Sequence, residues 1–492
     1  MDVRKILCLP IFLAAVGLIS CSGLPKKSTC TSNCGGGAAT LSVTMTAAPL
    51  TPPPNTNLLS FTVDVNTITL TPSTGTAVNI PLNSNAFSVD LTKLQSDSVF
   101  LGTSASVPAG SYTSMTVSIS NPVVTFCTQT TGNAGCATGT VTTITGAAAA
   151  PVINSAPFPL TVTSNQQTGL ALNVNLNSAL TVSASQVVTA VSLGNALTVN
   201  TLPSTSSSLA AGQLDFVEDV TGTVTAVNTT SQSVTVKTAT RGSLTAVANS
   251  STVFSPNCTT FTFSCVVQGQ VASLDMVLNA NGTFTLLEYD PLATNSSDWV
   301  EGIVTVAPSS TSQFSLVAND VVLATSGSVI NSGLVGALLN ATIVNLSNTF
   351  LIDSKGFTIP ANSFNNNTAA SVFLPGETLS IHVTAFTAAS GSTPASANVD
   401  AVYLRFTRVS GTVASTGTQA TFNIENLPSF FGPTTQPLVQ ITLGSPPSTP
   451  STNFDGVTSA TALSNPQTVS IRALYFGAGT QPSFSAASVR VP

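Results

Sequence analysis

The chain has 492 residues, a formal net charge of −6 and only 6% Asp, Glu, Lys and Arg, against about 25% in typical soluble proteins. With no basic patch among its 12 Lys and Arg, nucleic-acid binding is excluded as an expectation. Glu, Lys and Arg are also the better helix formers, and here they give way to Thr, Val and Ser, so the expected fold class is all-β and the expected destination is outside the cytoplasm.

The first stretch carries Arg4 and Lys5, then an apolar run from Ile6 to Ile19. A basic start, a short apolar run and small residues before a cut mark a secretory signal, here 1–20. About 14 apolar residues fall short of the roughly 20 that a spanning helix needs. Leu18-Ile19-Ser20-Cys21 resembles the lipobox of bacterial lipoproteins. That resemblance implies cleavage before Cys21, diacylation of its thiol and acylation of the new N-terminus. The expected partner is therefore a membrane, reached through two or more acyl chains, which suffice for stable anchoring. Ser22, where enteric lipoproteins retained at the inner membrane carry Asp, favours the outer membrane of the cell envelope. Residues 21–39, with Lys26, Lys27 and much Ser, Thr and Gly, read as a flexible tether. The longest later apolar stretch, Gly333 to Leu346, is short and holds Asn340, Thr342 and Asn345, so no spanning segment is expected there.

Residues 40–202 alternate apolar and polar side chains in short runs, as in Leu41-Ser-Val-Thr-Met45, Phe61-Thr-Val-Asp-Val65, Phe87-Ser-Val-Asp-Leu91, Met115-Thr-Val-Ser-Ile119 and Leu170 to Leu176. Turn residues such as Pro72-Ser-Thr-Gly75 and Pro108-Ala-Gly110 separate them. Such spacing predicts a β-sandwich. Val89-Asp-Leu-Thr-Lys-Leu94, Val107-Pro-Ala-Gly-Ser-Tyr112 and the following strand together resemble the domain of unknown function 4382 family, a family of envelope lipoproteins. The resemblance covers about a third of the chain and implies no activity. Where members of that family end the first strand Asp-Ala-Pro, this chain reads Ala47-Ala48-Pro49 and lacks the acid.

Residues 203–216, rich in Ser, Ala and Gly near their start, read as a linker. Beyond them a theme recurs. Val220-Thr-Gly-Thr-Val224, Val300-Glu-Gly-Ile-Val304 and Val409-Ser-Gly-Thr-Val413 each precede a turn and a second alternating strand. Glycine inside a strand marks a bend or bulge, and here it would let the first strand coil around a small barrel. Three β-domains in series are expected, at 217–292, 299–406 and 407–492, barrel-like or sandwich-like. They loosely resemble small Gly-Val-rich β-barrel domains of unknown function that accompany such lipoproteins.

Beyond Cys8 and Cys21, six cysteines form three local pairs: Cys30 with Cys34, Cys127 with Cys136, and Cys258 with Cys265. Close pairs in an exported chain predict disulfides, here pinning hairpin tips. With one histidine in the chain, no zinc site is expected and no cofactor is implied. That histidine, His382, lies in the alternating run Leu379-Ser-Ile-His-Val383 and reads as a solvent-facing strand residue rather than the base of a catalytic triad. Asp215, Glu218 and Asp219 enter the second domain, and Glu288, Asp290, Asp298 and Glu301 bracket the next junction. These acids offer oxygen ligands for calcium, or merely a polar junction. Trp299 beside Tyr289 offers an aromatic patch for a glycan, or packing between domains. The expected function is a non-catalytic structural or binding role in the envelope, with a glycan or another envelope protein as possible partner. A glycan-binding adhesin and an envelope hydrolase are the alternatives.

Overall fold

Runs of Thr or Ser alternating with Val, Leu or Ile form strands through the whole body, and the chain is all-β. The computed structural model describes residues 37–492 except 52–55, 129–134, 138, 185–186, 205, 256, 259, 361, 363, 366, 429–430, 432–436 and 479–480. The signal, Cys21, Cys30, Cys34 and the tether through residue 36 lie outside the described residues. Among the described residues the one α-helical element is a single turn, Leu176–Ala179.

The N-terminal domain is a sandwich of two sheets. One has four strands in the order Leu197–Leu202, Gln167–Asn175, Ala38–Ala48, Val99–Pro108. The other is built on two long antiparallel strands, Thr56–Pro72 and Gly110–Thr128, with five short strands along them. Alternate residues of both sheets point inward. Leu41, Val43 and Met45 meet Phe61, Val63, Met115 and Val117 in one core. Tyr112, 2% exposed, donates from its hydroxyl to the Pro108 carbonyl at 2.8 Å and so ties down the Pro108-Ala-Gly110 turn.

Each of the next three sheets closes on itself. The first barrel uses Gln213–Asn228, Ser233–Lys237, Ser243–Val247, Val271–Asn279 and Phe284–Ala293. The second uses Trp299–Val304, Gln313–Val322, Leu338–Ile343, Thr378–Thr387 and Ala395–Arg405, and the third Thr407–Thr418, Thr421–Glu425, Leu438–Ile441, Thr468–Ala478 and Gln481–Arg490. In all three the first strand pairs with the second and the fourth, the fifth with the fourth, and the third returns in parallel to the fifth. This is the strand connectivity of the five-stranded OB barrel. A short extra strand pairs in parallel with each fifth strand, and a 3-10 turn precedes each fourth strand. The first strand of the first barrel begins at Gln213, so the stretch read as linker contributes its last four residues to the barrel. Before that, Ser208 donates its backbone N–H to the Phe454 carbonyl at 2.9 Å, along the third barrel.

The recurring glycine has a steric cause. A Cβ at Gly222, Gly302 or Gly411 would stand 2.3, 2.5 or 2.6 Å from a carbonyl oxygen of the second strand (Lys237, Val317 or Glu425). Only a residue without a side chain lets the first strand cross the second so closely.

The domains share their cores. Phe100 of the sandwich meets Phe284 of the first barrel edge to face at 5.0 Å, and Leu474 and Phe476 of the third barrel join the core of the second. Both described cysteine pairs are disulfides. Cys127–Cys136 does not pin a free hairpin tip, however. Cys127 is wholly buried, and Cys136 donates its backbone N–H to the Thr305 carbonyl of the second barrel at 2.8 Å. The bridge is part of a seam between domains and belongs to one buried cluster with third-barrel residues such as Phe422 and Tyr475.

We expect Gly302→Ala to destabilise the fold by about 2–3 kcal/mol, the cost of backbone strain in a packed element, read as a lowered melting temperature. Gly333→Ala, where nothing lies within 4 Å of the added Cβ, should leave melting unchanged.

Candidate functional site: a buried charge network where four domains meet

Equivalent positions in the three barrels carry different chemistry. Two residues before each recurring glycine, the register pairs Val220 with Leu274, Val300 with Ile381 and Val409 with Ile471 on the fourth strand. The residue after each partner is Asp275, His382 and Arg472. Facing them from the first strand are Asp219, Trp299 and Arg408. The first barrel therefore presents acids where the third presents arginines, and the two meet. Arg472 grips Asp275 through Nη1 at 3.0 Å and Nη2 at 2.5 Å, and Arg408 Nη2 reaches Asp219 at 2.5 Å.

The second barrel and the sandwich complete the junction. Arg405, at the end of the second barrel's fifth strand, bonds Asp219 at 2.5 Å, Glu301 at 3.1 Å and Asp353, with Thr221 and Ser273 also accepting from its Nη2. Lys355 Nζ lies 2.7 Å from Asp275 and wholly inside the protein. Lys93 of the sandwich donates to Glu301 at 2.7 Å, with Asp219 at 3.3 Å. Arg490 of the third barrel donates to Asp455, Ser98 and the Asp97 carbonyl, and Asp97 itself accepts from Arg408. Arg241 joins through Asp320. Seven of the eight Lys and Arg beyond residue 37, all but Lys237, thus belong to one network.

The charges balance only if some acids keep their protons. Eleven carboxyls face these seven cations. Asp97, Asp219, Asp275, Glu301, Asp320, Asp353 and Asp455 each lie within 4.0 Å of an Arg or Lys nitrogen. The remaining four, Glu218 among them although it lies 3.8 Å from Arg472 Nη2, are the acids of the network that burial pushes upward. Asp215 rises to about 6, with Arg490 opposing, and Glu218 to about 7, with Arg472 opposing. Glu288 and Asp290 rise well above the usual carboxylate range, burial being reinforced by Asp275 for the first and Asp353 for the second. With all four protonated, seven carboxylates oppose seven cations; Asp215, at about 6, and Glu218, at about 7, are the two that disturb this balance as pH rises. Glu288 Oε2 accepts no hydrogen bond, and the side-chain hydrogen bond between Asp290 and Asp353 requires a proton between the two, which raises Asp290. Burial would raise Asp275 and Asp219 too, but Arg472 and Lys355 hold the first far down, and Arg405, Lys93 and Arg408 the second.

The acids singled out in the sequence mostly converge here: Asp215, Glu218, Asp219, Glu288, Asp290 and Glu301 are all in the network. Asp298 is not. It accepts from the backbone N–H groups of Ala324 at 2.7 Å and Val329 at 2.6 Å and fastens a loop of the second barrel. Calcium is not what these acids face; arginine and lysine are, and among the described residues no group of three His, Cys, Asp or Glu is arranged to hold a metal ion. Of the two readings of Trp299, its surroundings fit packing between domains, although Tyr289 is not the partner. Trp299, 3% exposed, packs against Tyr403 and His382 with first-barrel Val271 and Leu292 beside it. Tyr289 is buried separately, donating to Gln270 at 2.7 Å. No exposed aromatic patch results from this pair. His382 is half-buried and sits 2.6 Å from Asp400, its one side-chain hydrogen-bond partner among the described residues.

The cations went unnoticed in the sequence because each is isolated there. Tyr403-Leu404-Arg405-Phe406-Thr407-Arg408, two arginines inside an apolar strand-to-strand seam, was the available signal.

Two clefts flank Lys93. One, of about 70 Å³, reaches Arg408 and Phe431. The other, of about 230 Å³, opens between the sandwich and the first two barrels.

Comparison with known proteins places only the sandwich. Residues 38–192 match the family model described as a domain of unknown function, DUF4382. The match ends before the last sandwich strand and reaches none of the barrels. No curated protein and no solved structure matches the chain.

Truncating Arg405 to Met should cost about 3–5 kcal/mol, because it strands buried carboxylates; chemical denaturation measures it. The pH dependence has a definite sign. Asp215 and Glu218 bind protons more tightly folded than unfolded, so their contribution is complete below about pH 4 and is lost as pH rises through 6 and 7. Asp219, Asp275 and Glu301, held low, act in the opposite sense and only at more acidic pH. The melting temperature should therefore fall between pH 5 and pH 8, and the double substitution Asp215→Asn, Glu218→Gln should flatten that fall in calorimetry.

Proposed function

We propose that this chain is a lipid-anchored, non-catalytic protein of the bacterial cell envelope, whose four domains act as a single stiff structural or binding body. The observation that carries the reading is the pooling of charge. Seven cations and eleven carboxyls are committed to holding the domains together, and Lys237 is the only exposed charged residue among those described. Most side chains that could act as acid, base or electrophile are thereby occupied in cohesion, the half-buried His382–Asp400 pair standing outside the network. The sequence before residue 37 supports the anchor: Arg4 and Lys5, an apolar run, Leu18-Ile19-Ser20-Cys21 and a polar tether. Ser22 supports the outer membrane as the destination. The glycan-binding alternative draws less support, since Trp299, Tyr112, Tyr289 and Tyr475 are buried.

Replacing Cys21 with Ser tests the anchor. The wild-type chain should incorporate a fatty-acid probe and fractionate with membranes. The C21S chain should take up no probe, differ in mass by the missing lipid and signal processing, and leave the membrane fraction. A C21S product that stays membrane-bound with unchanged mass refutes the reading. Protease shaving of intact cells then distinguishes a surface from a periplasmic face.

A further inference from the structure

The larger cleft beside Lys93 is unlike the rest of the junction. Its floor is aliphatic: Val89, Leu94 and Val99 from the sandwich, with Val321, Ile330 and Leu334 from the second barrel. All six are buried. At the mouth, Leu323 and Val335 stand 44% and 37% exposed, two large apolar side chains in water at the rim of an apolar hollow. No aromatic ring lines it. Walls of this kind suit a flexible hydrocarbon chain better than a sugar ring or a planar cofactor.

Among the described residues the polar end has one cation with spare capacity. Lys93 is saturated by Glu301, Asp219 and Asp320. Asp90 accepts from Ser60, Thr92, Asn319 and the Phe61 backbone, and Asp97 and Asp219 are held by Arg408. Arg241 differs. Its guanidinium has five N–H donors, and among the described residues its one side-chain partner is Asp320, at 2.7 Å through Nη2. It lies in the turn between the second and third strands of the first barrel, 13% exposed, on the wall of the cleft. Guanidinium takes carboxylates in a two-pronged fit, and its unused edge is open to a second one.

We propose that this cleft binds a short aliphatic carboxylate, with the carboxylate on the free edge of Arg241 and the hydrocarbon chain along the floor beneath Leu323 and Val335. A cleft of about 230 Å³ holds several water-sized groups, and octanoate is a chain of suitable scale to test it. The ligand is recognised as a free acid, because the donor it meets is a cation with an unpaired edge. The proposal is independent of the lipid anchor: the cleft is built wholly from residues 88–335.

The experiment uses the purified full chain in lipid nanodiscs, since detergent tails would compete for the same walls. Carboxyl-labelled octanoate is titrated and followed by carbon NMR and calorimetry. Saturable one-to-one binding is expected. Arg241→Gln should weaken it by about tenfold or more, the scale of a lost hydrogen bond to a charged group, whereas Asp320→Asn, which removes the competing carboxylate, should strengthen it. Val335→Gln, at the exposed rim, should weaken binding while leaving the melting temperature unchanged. Octanol, and methyl octanoate standing for a chain esterified in a lipid, should bind about tenfold more weakly than the acid. Absence of saturable binding overturns the proposal. So does equal binding of acid, alcohol and ester with no effect of Arg241→Gln, which would reduce the cleft to an unselective apolar hollow.

Discussion

A guanidinium cut off from water must have an acceptor for nearly every N–H, and it must have a negative charge close by. Arg405 meets that demand only where the second barrel, with Glu301 and Asp353, lies against the first, with Asp219, Thr221 and Ser273. Arg472 and Arg408 impose the same condition on the third barrel, and Lys93 on the sandwich. The relative placement of the four domains follows from these few side chains. Apolar seams such as Phe100 against Phe284 contribute area but tolerate sliding. A buried ion set does not slide, because displacement leaves charges unpaired, at several kcal/mol each. Buried ion pairs are weak sources of net stability, and their use here is to select one arrangement over others.

The network also shows how one barrel plan serves three roles. The structural position occupied by Asp275 in the first barrel holds His382 in the second and Arg472 in the third. Asp and Arg at matched positions make the first and third barrels complementary to each other. The second barrel, with Trp299 and His382 there, meets its neighbour through apolar contact with Val271 and Leu292 instead. The barrel itself is held by what the three have in common: the close crossing at Gly222, Gly302 and Gly411 and the parallel return of the third strand to the fifth.

Much of the architecture was legible in the amino-acid order. Period-two runs such as Leu41 to Met45 and Met115 to Ile119 are strands of a sandwich core. The Val-x-Gly-x-Val pattern located the start of each barrel because its cause is local, one strand crossing the next. Disulfides between Cys127 and Cys136 and between Cys258 and Cys265 were legible from spacing, although the burial of the first between domains was not. The charged junction was half visible. Rare acids clustered at domain boundaries stood out, yet their partners were spread from Lys93 to Arg490, and pairing across almost 400 positions leaves no local pattern. The acids therefore suggested an ion from outside when the counter-charges came from the chain itself. Trp299 and Tyr289, ten positions apart, looked like neighbours in space and are not, because consecutive strands carried them into different packing environments.

Drawing nearly all fixed charge inward leaves an exterior of hydroxyls and amides, with Lys237 as its exposed ionic residue among those described. Acids outside the network, such as Asp64, Asp400 and Glu425, and a net charge of −6 leave it a diffuse, weakly negative field with no charged patch. Its encounters with other molecules are governed by contact and hydration, and since the ion pairs inside are hardly screened by dissolved salt, both its cohesion and its stickiness should be much the same in dilute and in saline water.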